Sequence, residues 1–117
     1  MNSIETSEPK VNQIEHDLFF KLISKKYTFT ILNELRYYKN RRFTNLIRNI
    51  DNISSKTMTS RLKDLVEHGL ISRKQFNEIP PRVEYSITPR GIDVVEKINS
   101  LINFNTNDFS YSEYNQD

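Results

Sequence analysis

The sequence predicts a mainly α fold with one small antiparallel β-hairpin, an α+β domain. Three observations predict it. Apolar residues recur at helical spacing up to Gly69 and again after Pro89. Between Val83 and Ile87 the apolar period changes to two. Pro80 and Pro81 sit in the stretch before it and read as a loop. At 117 residues the chain has room for one domain with one modest core.

The elements follow in order. Residues 1–10 show no periodicity and are expected to be disordered. From Val11 onward, Ile14, Leu18, Phe19, Leu22 and Ile23 form one stripe of a first helix. Ser24 is the expected N-cap of a second helix at about 25–38, with Tyr27, Ile31, Leu32 and Leu35 inward. Residues 39–42 read as a polar connection, and Phe43 either starts a short strand or closes a turn. Thr44 or Asn45 then caps a short third helix that turns Leu46, Ile47 and Ile50 inward. A fourth helix is expected at about 55–68, capped by Ser54 or Ser55, with Met58, Leu62, Leu65 and Val66 as its stripe. Gly69 stands where a left-handed residue would end it.

Residues 70–76 read as an extended run whose buried face is ambiguous, because Leu70 and Ile71 are adjacent. Residues 77–82 are a loop. Val83, Tyr85 and Ile87 then alternate with Glu84, Ser86 and Thr88 as a half-buried strand. Thr88 caps a last helix and Pro89 opens it, out to about Ile102. The expected domain is therefore 11–102, followed by a flexible acidic tail at 103–117. There is no alanine against thirteen isoleucines and thirteen asparagines, so packing has to hold the helices. Two helices joined by a short turn and followed by a hairpin describe a winged helix-turn-helix.

Composition removes several classes of function. No cysteine is present, which excludes a disulfide framework, a thiol nucleophile and a Cys-based metal site. His16 and His68 are the two histidines, too few for a multi-His metal site, and no cofactor is expected. His16 lies beside Asp17, but adjacent side chains diverge on a helix, so the two make a poor catalytic pair. His68 sits where it would meet carbonyls at its helix C-terminus. No Gly-rich phosphate loop or nucleophile motif occurs, and an enzyme is not expected. No apolar run approaches the roughly 18 residues of a membrane span. The polar N-terminus is unlike a signal peptide, so the expected location is cytoplasmic, with no membrane partner.

Charge points to a partner. The net +2 conceals an asymmetry. From Lys21 to Lys97 there are 16 Lys and Arg against 8 Asp and Glu, a balance of +8. The flanks carry Lys10 against seven acids, a balance of −6. A basic centre suits a nucleic acid, because phosphate contacts supply much of the affinity of such proteins. The helix at 55–68 has the matching outward face in its first half: Ser55, Lys56, Thr57, Thr59, Ser60, Arg61 and Lys63. Short hydroxyls allow close approach to base edges, and Lys and Arg read guanine or neutralise phosphate. Asp64 and Glu67 fall only in the second half. Arg73, Lys74 and Arg82 lie on the hairpin, where a wing meets the backbone or the minor groove. Arg41, Arg42 and Arg48 flank the third helix and would hold phosphates on the other side.

These segments carry a family resemblance. RRFTNLIRNI, ISSKTMTSRLKDLVEHGLISRKQF and IPPRVEYSITPRG together resemble the HxlR family of winged-helix transcription regulators. The segment from Pro80 to Thr88 is the most specific part. Arg42, Phe43 and Leu46, and Leu62, Leu65, Gly69 and Leu70, support it. The resemblance covers about residues 18–98. It implies a homodimeric DNA-binding regulator, with the end helices forming much of the subunit contact; such a dimer would meet double-stranded DNA at a pseudo-palindromic operator. Two departures stand out. Lys26 is followed by Tyr27 where the family often has Trp, and the cysteine that senses oxidants in some members is absent.

The end helices agree with a dimer. Leu18, Phe19 and Phe20 on the first, and Ile92, Val95, Ile98, Leu101 and Ile102 on the last, make a wider apolar surface than a one-sided helix needs. Two other readings remain beside the DNA-binding regulator. One is a protein-interaction module on the same fold. The other is a ligand-sensing regulator with an unidentified small-molecule effector, for which no sequence feature locates a pocket.

Overall fold

The computed structural model describes residues 10–108, with side chains from 13 to 105. The segment expected to be disordered, apart from Lys10, and the tail beyond residue 108 lie outside the described residues. The element order is α1 (Lys10–Ile23), α2 (Thr28–Tyr38), β1 (Asn40–Arg41), α3 (Phe43–Asn49), α4 (Ser55–Glu67), β2 (Ile71–Phe76), β3 (Arg82–Ile87) and α5 (Pro89–Asp108). This is the expected winged helix-turn-helix, with one addition. The hairpin gains a third strand, in the order β1-β3-β2, all antiparallel. Asn40 pairs with Ser86 and Arg41 with Tyr85. The short strand thus falls at Asn40–Arg41, and Phe43 opens α3 instead.

One core joins the elements. Ile31, Leu32 and Leu35 of α2, Leu46 of α3, Met58, Leu62 and Leu65 of α4, Leu70, Ile71 and Val95 are all essentially without exposed surface. Burying each such side chain stabilises the fold by about 1.5–3 kcal/mol. Leu70 and Ile71 are both buried because Leu70 precedes the strand and Ile71 begins it. β3 is half-buried along its whole length, without the expected alternation, because it is the central strand of the sheet.

Local chemistry sets the ends of the helices. Ser54 Oγ accepts from the Thr57 amide at 3.1 Å, so Ser54 caps α4. Gly69, at φ 72°, closes it. The Leu70 amide reaches Leu65 O at 2.9 Å and the Gly69 amide reaches Val66 O at 3.0 Å, the paired bonds of a Schellman motif. Thr88 Oγ1 accepts from the Gly91 amide at 3.1 Å, with Pro89 at the first helical position.

Three expectations are corrected. Ser24 does not cap α2; its hydroxyl donates back to Phe20 O at 2.6 Å, ending α1, and α2 begins only at Thr28. α3 begins before Thr44 and Asn45, and Asn45 acts from inside the helix, its Oδ1 accepting from the Arg42 amide at 3.1 Å. α5 runs on to Asp108, past the expected end at Ile102. The α1 stripe also splits. Leu22 is buried and Phe19 and Ile23 pack at the core margin, but Ile14 and Leu18 are exposed.

Candidate nucleic-acid interface

The candidate site is built on α4. Its inward stripe anchors it through Met58, Leu62 and Leu65, which leaves Ser55, Lys56, Thr59, Ser60 and Lys63 exposed on the outer side of its first half. No acid interrupts that set. Lys56 and Lys63 form no ion pair among the described residues. The other two residues expected on this face are engaged. Thr57 is half-buried, its amide donating to Ser54 Oγ and its hydroxyl accepting from the same serine at 3.0 Å. Arg61 is half-buried, and its Nε donates to the Lys26 carbonyl at 3.0 Å.

Arg42 and Arg48 are exposed at either end of α3. Arg41 is held back, 3.7 Å from a Glu34 carboxylate oxygen, with its guanidinium 3.7 Å from the centre of the Tyr38 ring. On the hairpin, Arg73 and Lys74 are exposed, with Lys74 Nζ 4.9 Å from the centre of the Phe76 ring. Arg82, also expected at DNA, is engaged within the wing. It stacks on Phe76 at 3.9 Å and meets Glu78 at 3.1 Å and Glu84 at 3.5 Å. Two carboxylates compensate its charge, which makes it a brace inside the wing. A cleft of about 470 Å³ lies between α4 and the sheet, lined by Thr59, Leu62, Lys63, Val66, Glu67, Arg73 and Tyr85.

The residues expected at a subunit contact also separate. Val95 is corrected: it has no exposed surface and belongs to this chain's own core. Phe19, Ile92 and Ile98 are half-buried. Leu18, Phe20, Leu101 and Ile102 are exposed. Ile14, expected in the core, and Phe104, expected in the tail, are both exposed apolar residues on these same two helices. Apolar spacing continuing past the needs of the core was the available signal. Between α1 and α5 runs a groove of about 250 Å³ lined by Phe19, Ile23, Val94, Lys97, Ile98 and Leu101.

The histidines are structural or peripheral. His68 Nδ1–H donates to Asp64 O at 3.0 Å, and His16 is exposed on α1. Among the described residues no helix is long and apolar enough to cross a membrane.

α4 of this winged helix-turn-helix presents cations and hydroxyls outward, the arrangement a DNA-binding face requires. The chain belongs to the HxlR-like helix-turn-helix family, which matches residues 22–113. It is 42% identical over 73 residues to the HTH-type transcriptional regulator sll1512 of Synechocystis sp., a match covering 62% of this chain and 53% of that protein. The chain thus spans about half the length of that relative. It is 38% identical over 85 residues to the HTH-type regulator BH0655 of Halalkalibacterium halodurans, covering 70% of this chain and 75% of that one. Among solved structures, a MarR-family transcriptional regulator from Enterococcus faecalis V583 superposes with a TM-score of 0.72 at 33% identity, covering 81% of this chain and 86% of that chain. These relatives are named as transcriptional regulators.

Proposed function

We propose that this regulator binds double-stranded DNA as a homodimer in the cytoplasm, with α4 in the major groove and the β2–β3 wing against the backbone or minor groove. The observation that carries the reading is the outer face of α4. Ser55, Lys56, Thr59, Ser60 and Lys63 stand exposed together, without an intervening acid or large apolar side chain. A protein-docking face would instead show aromatic or aliphatic anchors. Arg42 and Arg48 extend the positive surface along α3, and Arg73 and Lys74 along β2.

Homodimerisation is supported by the end helices. Ile14, Leu18 and Phe20 of α1, and Leu101, Ile102 and Phe104 of α5, are exposed apolar side chains flanking a preformed groove. Pairing two copies would bury them. Two α4 helices would then enter successive major grooves about 34 Å apart on a pseudo-palindromic operator.

Titration of selected operator DNA over a range of salt tests the reading. If each subunit neutralises about four phosphates, the slope of log K against log salt is near −7. An affinity that does not change with salt would refute it. Immunoprecipitation of bound chromosomal DNA, followed by gel shift on the sites recovered, supplies the operator and the regulated genes.

A further inference from the structure

α4 is held along one side by the corner between α1 and α2, and hydrogen bonds tie that corner together. Ser24 Oγ donates to Phe20 O at 2.6 Å. Thr28, without exposed surface, donates to Leu22 O at 2.7 Å. Tyr27 turns the chain between the helices at φ 79°. Three polar contacts leave this corner. Arg61 Nε donates to Lys26 O at 3.0 Å. Lys25 Nζ lies 3.4 Å from Asp64 Oδ2. The Tyr27 hydroxyl donates to Asn52 O at 2.9 Å, in the turn that leads into α4. Further along, the Phe19 and His68 rings lie 6.3 Å apart.

Arg61, Asp64 and His68 follow one another at i, i+3 and i+7, a single stripe along α4 beside its core face. Met58, Leu62 and Leu65 seat α4 on the core and give it a preferred crossing angle, which directional polar bonds can then restrict further. The bonds from Arg61 and Asp64 are directional and charged, and both reach the segment that connects α1 to α2. α1 is also the helix that exposes Ile14, Leu18 and Phe20.

We propose that Arg61 and Asp64 are positioning residues: through the Lys26 carbonyl and the Lys25 ammonium they fix the angle between α4 and α1. In the dimer that angle sets the distance between the two recognition helices. The proposal rests on the homodimeric DNA-binding reading above. Arg61 acts through the protein's own backbone and not on a base. Its consequence is a narrow preference for the spacing of operator half-sites, since one base pair moves a half-site by about 3.4 Å.

The test uses the full chain and duplexes whose half-sites come from selection on random DNA, with the spacer then changed one base pair at a time. The expected result is a sharp optimum for the unaltered protein. In Arg61→Ala and Asp64→Asn, the preference for the best spacer over its neighbours falls by roughly threefold or more. Binding to a single half-site and the salt slope stay unchanged. Arg61→Lys, which keeps a cation able to reach the Lys26 carbonyl, recovers part of the preference. The double variant Lys25→Glu/Asp64→Lys recovers what Lys25→Glu alone loses, and it carries the test if Arg61→Ala melts early.

Three results would overturn the proposal. One is a salt slope shallower by about 0.9 per subunit in Arg61→Ala, which marks a phosphate contact. Another is lost discrimination at one base position, which marks a base reader. The third is a spacer profile unchanged in every variant. Failure of the unaltered protein to select any sequence overturns the DNA reading beneath it, a result distinct from these three.

Discussion

The carbonyl oxygen of Leu70 lies directly against Gly91, so close that a Cβ on Gly91 would overlap it and come within 2.7 Å of Ile87 Cγ1. The first turn of α5 therefore rests on the backbone at the root of the wing. Backbone cannot yield as a flexible side chain does. Gly91→Ala is expected to destabilise the protein by about 1–3 kcal/mol through overpacking. Urea unfolding measures it, and a midpoint equal to the unaltered protein's would show that α5 can move away freely.

Thr28 is the one fully buried polar residue in the described core, and its hydroxyl satisfies the Leu22 carbonyl at the end of α1. Thr28→Val keeps the shape and removes the donor. The expected cost is about 1 kcal/mol, because the Leu22 carbonyl loses one of its two donors and keeps the Lys25 amide at 3.1 Å. Thermal melting followed by circular dichroism reads it. Thr28→Ser, which keeps the hydroxyl, should lose less.

Leu101 is 67% exposed in the single chain, so replacing it disturbs the monomer little. Leu101→Asp is expected to shift sedimentation toward the monomer by placing a charge on the face proposed to pair. The unfolding midpoint of a dilute sample should change little. A dimer that persists unchanged would move the subunit contact elsewhere.

Lys56 and Arg82 are both basic, yet they should behave differently on DNA. Lys56 is exposed and unpaired, whereas Arg82 is compensated by Glu78 and Glu84. Lys56→Ala is expected to make the salt slope shallower by about 0.9 per subunit if it touches phosphate. Arg82→Ala should leave the slope intact and instead loosen the wing, seen as faster amide exchange in β2 and β3. Binding isotherms at several salt concentrations separate the two.

Much of this fold was legible because its helices are amphipathic and their stops are specific residues. Met58, Leu62 and Leu65 repeat at helical spacing, and Gly69 and Pro89 mark boundaries that the backbone obeys. β1 was not legible at its true place, since a strand of 2 residues has no period to read. Ser24 misled because a serine near two helix ends can serve either, and the choice depends on the Phe20 carbonyl. The outer face of α4 was read correctly at Ser55, Lys56, Thr59, Ser60 and Lys63 as exposed positions. Helical spacing places Arg61 outward, and its carbonyl partner, 35 residues away in the chain, is invisible to local pattern. For Arg82 the partners were local: Glu78 and Glu84 stand within four residues of it. Val95 and Ile102 both carried apolar character on α5, and only the packing of that helix decides which one faces home.

The bracing of Arg82 also bears on how the protein meets a polyanion. From residue 77 to 84 the wing tip carries Glu78, Glu84 and Arg82, a balance of −1. From residue 55 to 63, α4 carries Lys56, Arg61 and Lys63 with no acid, a balance of +3. At physiological ionic strength the field reaches about 8 Å, far enough to orient an approaching molecule before contact. On the proposed DNA-binding reading, a diffusing duplex is drawn to the helix and weakly repelled by the tip. On the same reading, encounter is helix-first and the wing meets DNA afterwards.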